Sequence, residues 1–343
     1  MKGITITKIY LISVFLCTSL PTIAQDIHFI PFDAAPLNMN PTFTGMFDGN
    51  IRVSGIYQNY WANASLPFST YGLSADLPVF TDQNGNYLST GVQFIRKEAG
   101  ELSIVNFSGM ASLAYHKLFS IADSGKNCDL AIGIQGTYNQ NSIDLSDINY
   151  GNTSFPVIYP SSQYHLGLGN TISNYNINGG ISFSQATGTK FSYTVGVSAN
   201  NLNQPKDQTE RQQNIQFGLA PCYRAVLGAN WAVINRLTLR PAILYESINN
   251  SSYLIAGNEF QYAVGYLSGN SFFSSIFAGG WYRSNDNLVI TAGTKFRNIR
   301  LGIGYDLGIN SNISRGMEIQ LQYITPRSKK PAAQKRIVPC SRF

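Results

Sequence analysis

The sequence predicts an all-β protein, a transmembrane antiparallel up-and-down β-barrel of about fourteen strands, of the outer-membrane type. Three observations predict it. The first is strict alternation near the C-terminal end: Leu301, Ile303, Tyr305, Leu307 and Ile309 share one face, while Arg300, Gly302, Gly304, Asp306, Gly308 and Asn310 share the other. A period of two with one apolar and one wet face is the signature of a strand. The second is composition: only 12% of the 343 residues are charged, while Tyr and Phe contribute twenty each. The remaining polarity is mostly neutral (Asn, Ser, Gln, Thr, Gly), which suits a barrel with a lipid-facing exterior and a polar lumen. The third is an export signal at the N-terminus.

That signal occupies 1–24. Lys2 and Lys8 form a positive n-region, 9–16 is a short apolar run, and Thr22 and Ala24 place small residues at −3 and −1 before Gln25. A spanning helix needs about 20 apolar residues, and no uninterrupted apolar stretch of that order follows. Removing Lys2 and Lys8 lowers the net charge from +6 to +4. Six basic residues and no acid lie in the tail 324–343, so the chain before it is close to neutral, at −2. The basic balance therefore marks a tail and not a nucleic-acid-binding face. With its three prolines, this tail suits anionic lipid, a periplasmic partner or plain solvation.

Between signal and barrel, 25–49 lacks a clean period but carries Phe29, Phe32, Leu37, Met39 and Phe43, so it reads as an irregular lead-in with something to bury. The barrel is expected over 50–323. Its strands are 51–60, 69–77, 87–96, 104–118, 129–139, 175–184, 190–200, 214–223, 237–246, 252–262, 272–283, 287–296, 300–310 and 316–323. An even count returns both chain ends to one side. With the ends periplasmic, the long stretches 140–174 and 201–213 fall outside the cell, and the tight turns at 185–189 and 297–299 fall inside. The last strand must pair with the first, because an open edge does not survive in a bilayer. A soluble sandwich would carry more Lys and Glu on its wet faces, and a propeller would show a blade repeat that is missing here.

Inward-facing Arg300, Asp306 and Glu318 would be costly in lipid and are assigned to the lumen, paired or wet. Tyr60, Trp61, Trp281, Tyr282 and Tyr323 lie at strand ends, as interfacial girdle aromatics do, and equally fit ordinary strand aromatics. No cofactor or metal site is indicated. Beyond the signal, Cys128, Cys222 and Cys340 are odd in number with no CxxC spacing, and the three histidines (His28, His116, His165) form no cluster with ligand spacing. No catalytic constellation stands out. An outer-membrane hydrolase is motivated only by abundant Ser and by His116, and a passive channel for small solutes by the neutral lumen face.

Several stretches together resemble the PorP/SprF family, outer-membrane proteins of the type IX secretion and gliding-motility systems of Bacteroidetes. They are Asp26, His28, Phe29 and Phe32, followed by Pro36, Leu37, Asn40, Pro41 and Gly45; the run YQNYW ending in Trp61; ANNLNQP at 199–205; GGWYRSNDN with Trp281, Tyr282 and Arg283; FRNIRLGIGYD; and the CSRF ending. The run at 57–61 departs from the family's Arg-Asn-Gln-Trp pattern. The resemblance implies a non-enzymatic barrel serving secretion and cell-surface attachment of adhesin-like cargo. The partners it implies are a peptidoglycan-linked periplasmic protein, the C-terminal domain of a secreted surface adhesin, or both. The motif residues become candidate partner contacts, with 26–45 and the tail on the periplasmic side and the two long loops outside.

Overall fold

The computed structural model describes residues 35–61, 67–99, 104–121, 126–143, 171–204, 220–249, 251–267, 271–284, 287–308 and 315–326. The predicted signal peptide, Asp26, His28, Phe29 and Phe32, most of the two long loops, His165 and the tail from 327 lie outside them.

Fourteen strands form a closed antiparallel barrel in simple sequence order. They are β1 (Arg52–Trp61), β2 (Pro67–Thr81), β3 (Tyr87–Ala99), β4 (Ile104–Ile121), β5 (Lys126–Ile143), β6 (Ile172–Thr187), β7 (Phe191–Asn200), β8 (Cys222–Ile234), β9 (Leu237–Ile248), β10 (Ser251–Leu267), β11 (Ser271–Arg283), β12 (Asn287–Phe296), β13 (Ile299–Gly308) and β14 (Arg315–Ile324). Each meets or exceeds the roughly 9–11 residues that a tilted membrane strand requires. Closure is made where expected: β1 pairs β14 from Arg52↔Ile324 to Trp61↔Arg315. Thr325 tightens this seam, its backbone N–H donating to the Ile51 carbonyl at 2.9 Å. No helix among the described residues is long and apolar enough to cross a membrane.

The outer surface is a band of bulky apolar side chains. Leu73, Ile134, Ile177, Val197, Phe260 and Ile303 are each more than half exposed. An apolar ring of this extent is unstable against water and fits acyl chains. On β13 the parity is clean, with Leu301, Ile303 and Tyr305 outside and Arg300 and Asp306 inside.

Strand positions match the expectation with one exception. A strand is expected at 214–223, of which 214–219 lie outside the described residues; β8 starts at Cys222 and runs on to Ile234. Pro221 stands directly before it and lacks the N–H that a ladder uses. The true strand is hard to see because both of its faces carry apolar residues: Val226 is buried inside while Leu227 faces out.

The lumen is not simply wet. Residues 35–50 enter it as a plug made of a single helical turn α1 (Pro36–Met39), a 3-10 turn (Pro41–Phe43) and a bend through Gly45. Leu37, Phe43, Met46 and Phe47 are at most 1% exposed. Met39, Phe43 and Met46 pack with Val226, Leu244, Ile255, Trp281 and Val289 from the β8–β12 wall. An apolar plug lets the band of wall it touches be apolar too, and a soluble-type core forms within the barrel.

Candidate functional site

The site is built around the plug. The Asn40-Pro41 step starts its second turn in the way helix physics favours. The Asn40 carboxamide oxygen accepts from the Thr42 backbone N–H at 3.0 Å, and Pro41 fills the first position, where no N–H is needed. The same side chain anchors to the wall, its Nδ2 donating to the Val197 carbonyl at 3.1 Å. Other wall residues close on plug carbonyls: Gln135 Nε2 on Leu37 at 3.0 Å, Ser198 Oγ on Met39 at 2.9 Å, and Arg224 Nη1 on Asn38 at 2.5 Å. A short buried segment has many backbone groups without helix or sheet partners, and these wall side chains satisfy them.

Charge pairs line the wall around it. Arg52 donates to both oxygens of Asp76, at 2.9 and 2.8 Å, and its Nη2 also reaches the Phe43 carbonyl at 2.9 Å. Asp76 in turn accepts the Gly45 N–H at 2.6 Å. Gly45 has φ +75, and a Cβ there would sit 1.9 Å from Ser89 Oγ, so both backbone and space demand glycine. Farther round, Arg224 pairs with Glu246, Arg240 and Arg300 share the two oxygens of Glu259 at 2.8 and 2.7 Å, and Arg283 pairs with Asp306 at 2.7 Å. Glu318 accepts from Gln58 Nε2 at 3.1 Å. Arg300 also lies over the Phe277 ring, 3.6 Å from its centroid.

His116 is fully buried and stacks on Tyr87 with ring centroids 4.2 Å apart. Its Nδ1 faces Asp129 Oδ2 and its Nε2 faces the plug carbonyl of Thr44, both at 3.0 Å. Nε2 thus meets the plug directly, while Nδ1 is engaged by a carboxylate of the β5 wall.

The residues singled out from sequence separate into groups. Pro36, Leu37, Asn40, Pro41 and Gly45 come together as the plug. They are buried against the barrel wall, so the contacts they make within this chain are with the barrel itself. Arg283, Asp306 and Tyr60 meet inside the lumen, with Arg283 Nη1 donating to the Tyr60 hydroxyl at 3.0 Å. Trp281 is also inside, 2% exposed, its Nε1 donating to Thr291 Oγ1 at 3.3 Å. The girdle expectation is thus corrected for Tyr60 and Trp281, whose strand parity points them inward. Tyr282 and Tyr323 have the opposite parity and face out. Trp61 ends β1 opposite Arg315. Sequence reasoning missed Arg52, Asp76, Asp129 and the role of His116; the available signal was a charge at an inward position of a predicted strand.

Between the plug and the rim from which 144–170 and 205–219 depart lies a cavity of about 340 Å³. Asn38 of α1 contributes to its floor, and Asn106, Asn139, Asn174 and Asn176 to its sides.

A closed fourteen-strand antiparallel barrel with a lipid-compatible exterior and an internally packed N-terminal segment defines an outer-membrane-type β-barrel. Within that class, the chain belongs to the PorP/SprF family of type IX secretion system membrane proteins, whose family model matches residues 22–322. No curated protein matches the chain. Among solved structures it is similar to the CymD monoaromatic hydrocarbon channel (TM-score 0.50, 10% identity, 86% of this chain and 93% of that one). It is also similar to the toluene transporter TbuX of Ralstonia pickettii (TM-score 0.47, 9% identity, 85% and 94%). CdiB from Acinetobacter baumannii is matched at TM-score 0.44 and 9% identity over 80% of this chain, which spans 60% of CdiB. At these identities the likeness concerns the barrel fold alone.

Proposed function

We propose that this barrel is a non-enzymatic outer-membrane scaffold of the type IX secretion system that supports export and surface attachment of adhesin-like cargo through protein–protein contacts. The observation that supports a scaffold over a passive solute channel is the seated plug. Phe43, Met46 and Phe47 are buried in the lumen, and the segment is held from two sides, by the Arg52–Asp76 ion pair and by His116, which also contacts Asp129. An open passive pore would leave that part of the lumen free.

In this reading the chain ends and short turns face the periplasm, and the connections 144–170 and 205–219 face outward, the usual arrangement for these barrels. The outer connections would meet the C-terminal domain of a surface adhesin, and the basic tail 327–343 a peptidoglycan-linked periplasmic protein. The test is deletion of the gene, followed by comparison of secreted and surface-attached proteins with the parent strain. Loss of at least one adhesin from the surface is expected. Normal export and attachment of every type IX cargo would remove the secretion role, and steady ohmic conductance of the purified protein would favour the channel.

A further inference from the structure

The geometry points to a carbohydrate-binding site in the cavity above the plug. Nine of its lining residues are asparagines and none is a carboxylate. Its volume, about 340 Å³, falls in the range of small-ligand sites. The asparagines project from neighbouring strands of a rigid wall, and several are held by one another. Asn139 Nδ2 donates to Asn174 Oδ1 at 3.1 Å, and Asn176 Nδ2 to Asn201 Oδ1 at 2.6 Å. Each such NH2 group has a second hydrogen to offer, and each carbonyl oxygen a second lone pair. Asn176 is only 6% exposed, yet its Oδ1 has no donor among the described residues. A buried carbonyl without a donor is costly and uncommon, and a ligand hydroxyl would satisfy it.

The class of ligand follows from the lining. A sugar hydroxyl both donates and accepts, and a carboxamide offers both complements side by side. The charged lining residues are Lys97 and Arg224, and the latter is matched by Glu246. Site charge therefore tolerates neutral sugars and uronic acids. Ile95 and Met110 supply a small apolar surface for the C–H face of a ring. An extended peptide fits less well, because peptide backbones are usually bound by adding a strand to a free edge, and this sheet is closed.

The test is calorimetric titration of the whole purified barrel in detergent with maltotriose, cellotriose, chitotriose and trigalacturonate, and with a neutral Gly-Asn-Ser hexapeptide. At least one trisaccharide should bind saturably, one per barrel. Asn139→Leu and Asn176→Leu should each weaken it about tenfold, the equivalent of one lost hydrogen bond. Ser120→Ala at the opposite rim should leave it unchanged. Native folding is checked by heat-modifiable gel mobility; should the buried Asn176→Leu variant misfold, exposed Asn141→Ala carries the same comparison. For the sugar that binds, titrating its mono-, tri- and hexasaccharide separates the sources: affinity that rises with length marks a polysaccharide, and affinity independent of length a free sugar. Failure of all four trisaccharides to bind, binding that survives the asparagine substitutions, or binding of the hexapeptide alone would overturn the assignment. None of these outcomes depends on the cargo role, which the deletion experiment tests separately.

Discussion

Arg52 and Asp76 form a pair that joins the first two strands to the segment preceding them. Both side chains are at most 2% exposed, and two donor–acceptor contacts of 2.9 and 2.8 Å connect them. The same two groups hold the plug, Arg52 through the Phe43 carbonyl and Asp76 through the Gly45 N–H. One ion pair thus couples barrel wall and plug. Neither charge can lose its partner without leaving the other buried.

Asp76→Ala should therefore cost about 3–5 kcal/mol, the usual penalty for stranding one member of a buried pair. Replacing both, Arg52→Met with Asp76→Leu, should cost less than Asp76→Ala alone, because no charge is then stranded. Equilibrium urea unfolding of the refolded barrel in detergent measures both. A double variant less stable than the single one would contradict the coupling.

The plug lies against glycines in the wall, and the contrast between Gly133 and Gly136 makes this testable. A Cβ at Gly133 would fall 2.7 Å from backbone atoms of Pro41 and Thr42, whereas one at Gly136, facing out, meets nothing within 4 Å. Backbone cannot yield as a flexible side-chain tip does. Gly133→Leu should displace the plug and give steady single-channel conductance, while Gly136→Leu should stay as silent as the parent in planar bilayers. Equal conductance in the two variants would mean that the lumen is not sealed at Pro41–Phe43.

Much of the barrel was legible because a strand's period of two survives wherever its two faces meet different solvents. On β13, Ile303 against Asp306 shows it plainly, as Val197 against Ser198 does on β7. The rule fails where the lumen stops being wet. Val226 on β8 faces the plug's Phe43 and Met46, so the alternation there fades. The plug itself was half legible. Leu37, Met39 and Phe43 marked an irregular segment with something to bury, but nothing local says that the cavity receiving it is the barrel's own interior. That information is spread over inward glycines such as Gly133 and Gly196, on β5 and β7, which become neighbours of the plug only once the barrel closes.

The lipid-facing assignment predicts a depth-dependent penalty. Ile303 lies mid-strand on β13, outward and 55% exposed. Ile303→Arg should destabilise the barrel in lipid vesicles by about 2–4 kcal/mol, the range for arginine near a bilayer midplane. In a soluble protein a half-exposed isoleucine would accept arginine with little change. Urea titration of the variant in vesicles, followed by tryptophan fluorescence, distinguishes the two; a loss under about 0.5 kcal/mol, the scale of ordinary surface substitutions, would place this face in water.

His116 gives the most selective test of how the plug is held. Its ring nitrogens face two acceptors, the Asp129 carboxylate and the Thr44 carbonyl, and its face rests on Tyr87. Phenylalanine at this position keeps the aromatic contact but donates nothing. Asp129 would retain only the long 3.4 Å contact from the Tyr87 hydroxyl, and the Thr44 carbonyl would lose its ring donor. Leaving buried acceptors without donors costs about 1–3 kcal/mol. Because Arg52, Gln135 and Ser198 still grip other plug carbonyls, His116→Phe should loosen the segment without expelling it. Hydrogen exchange of the amides around Thr44 should then quicken while conductance remains absent, and adding Asp129→Leu should recover part of the lost protection. Exchange unchanged from the parent would assign His116 to packing alone.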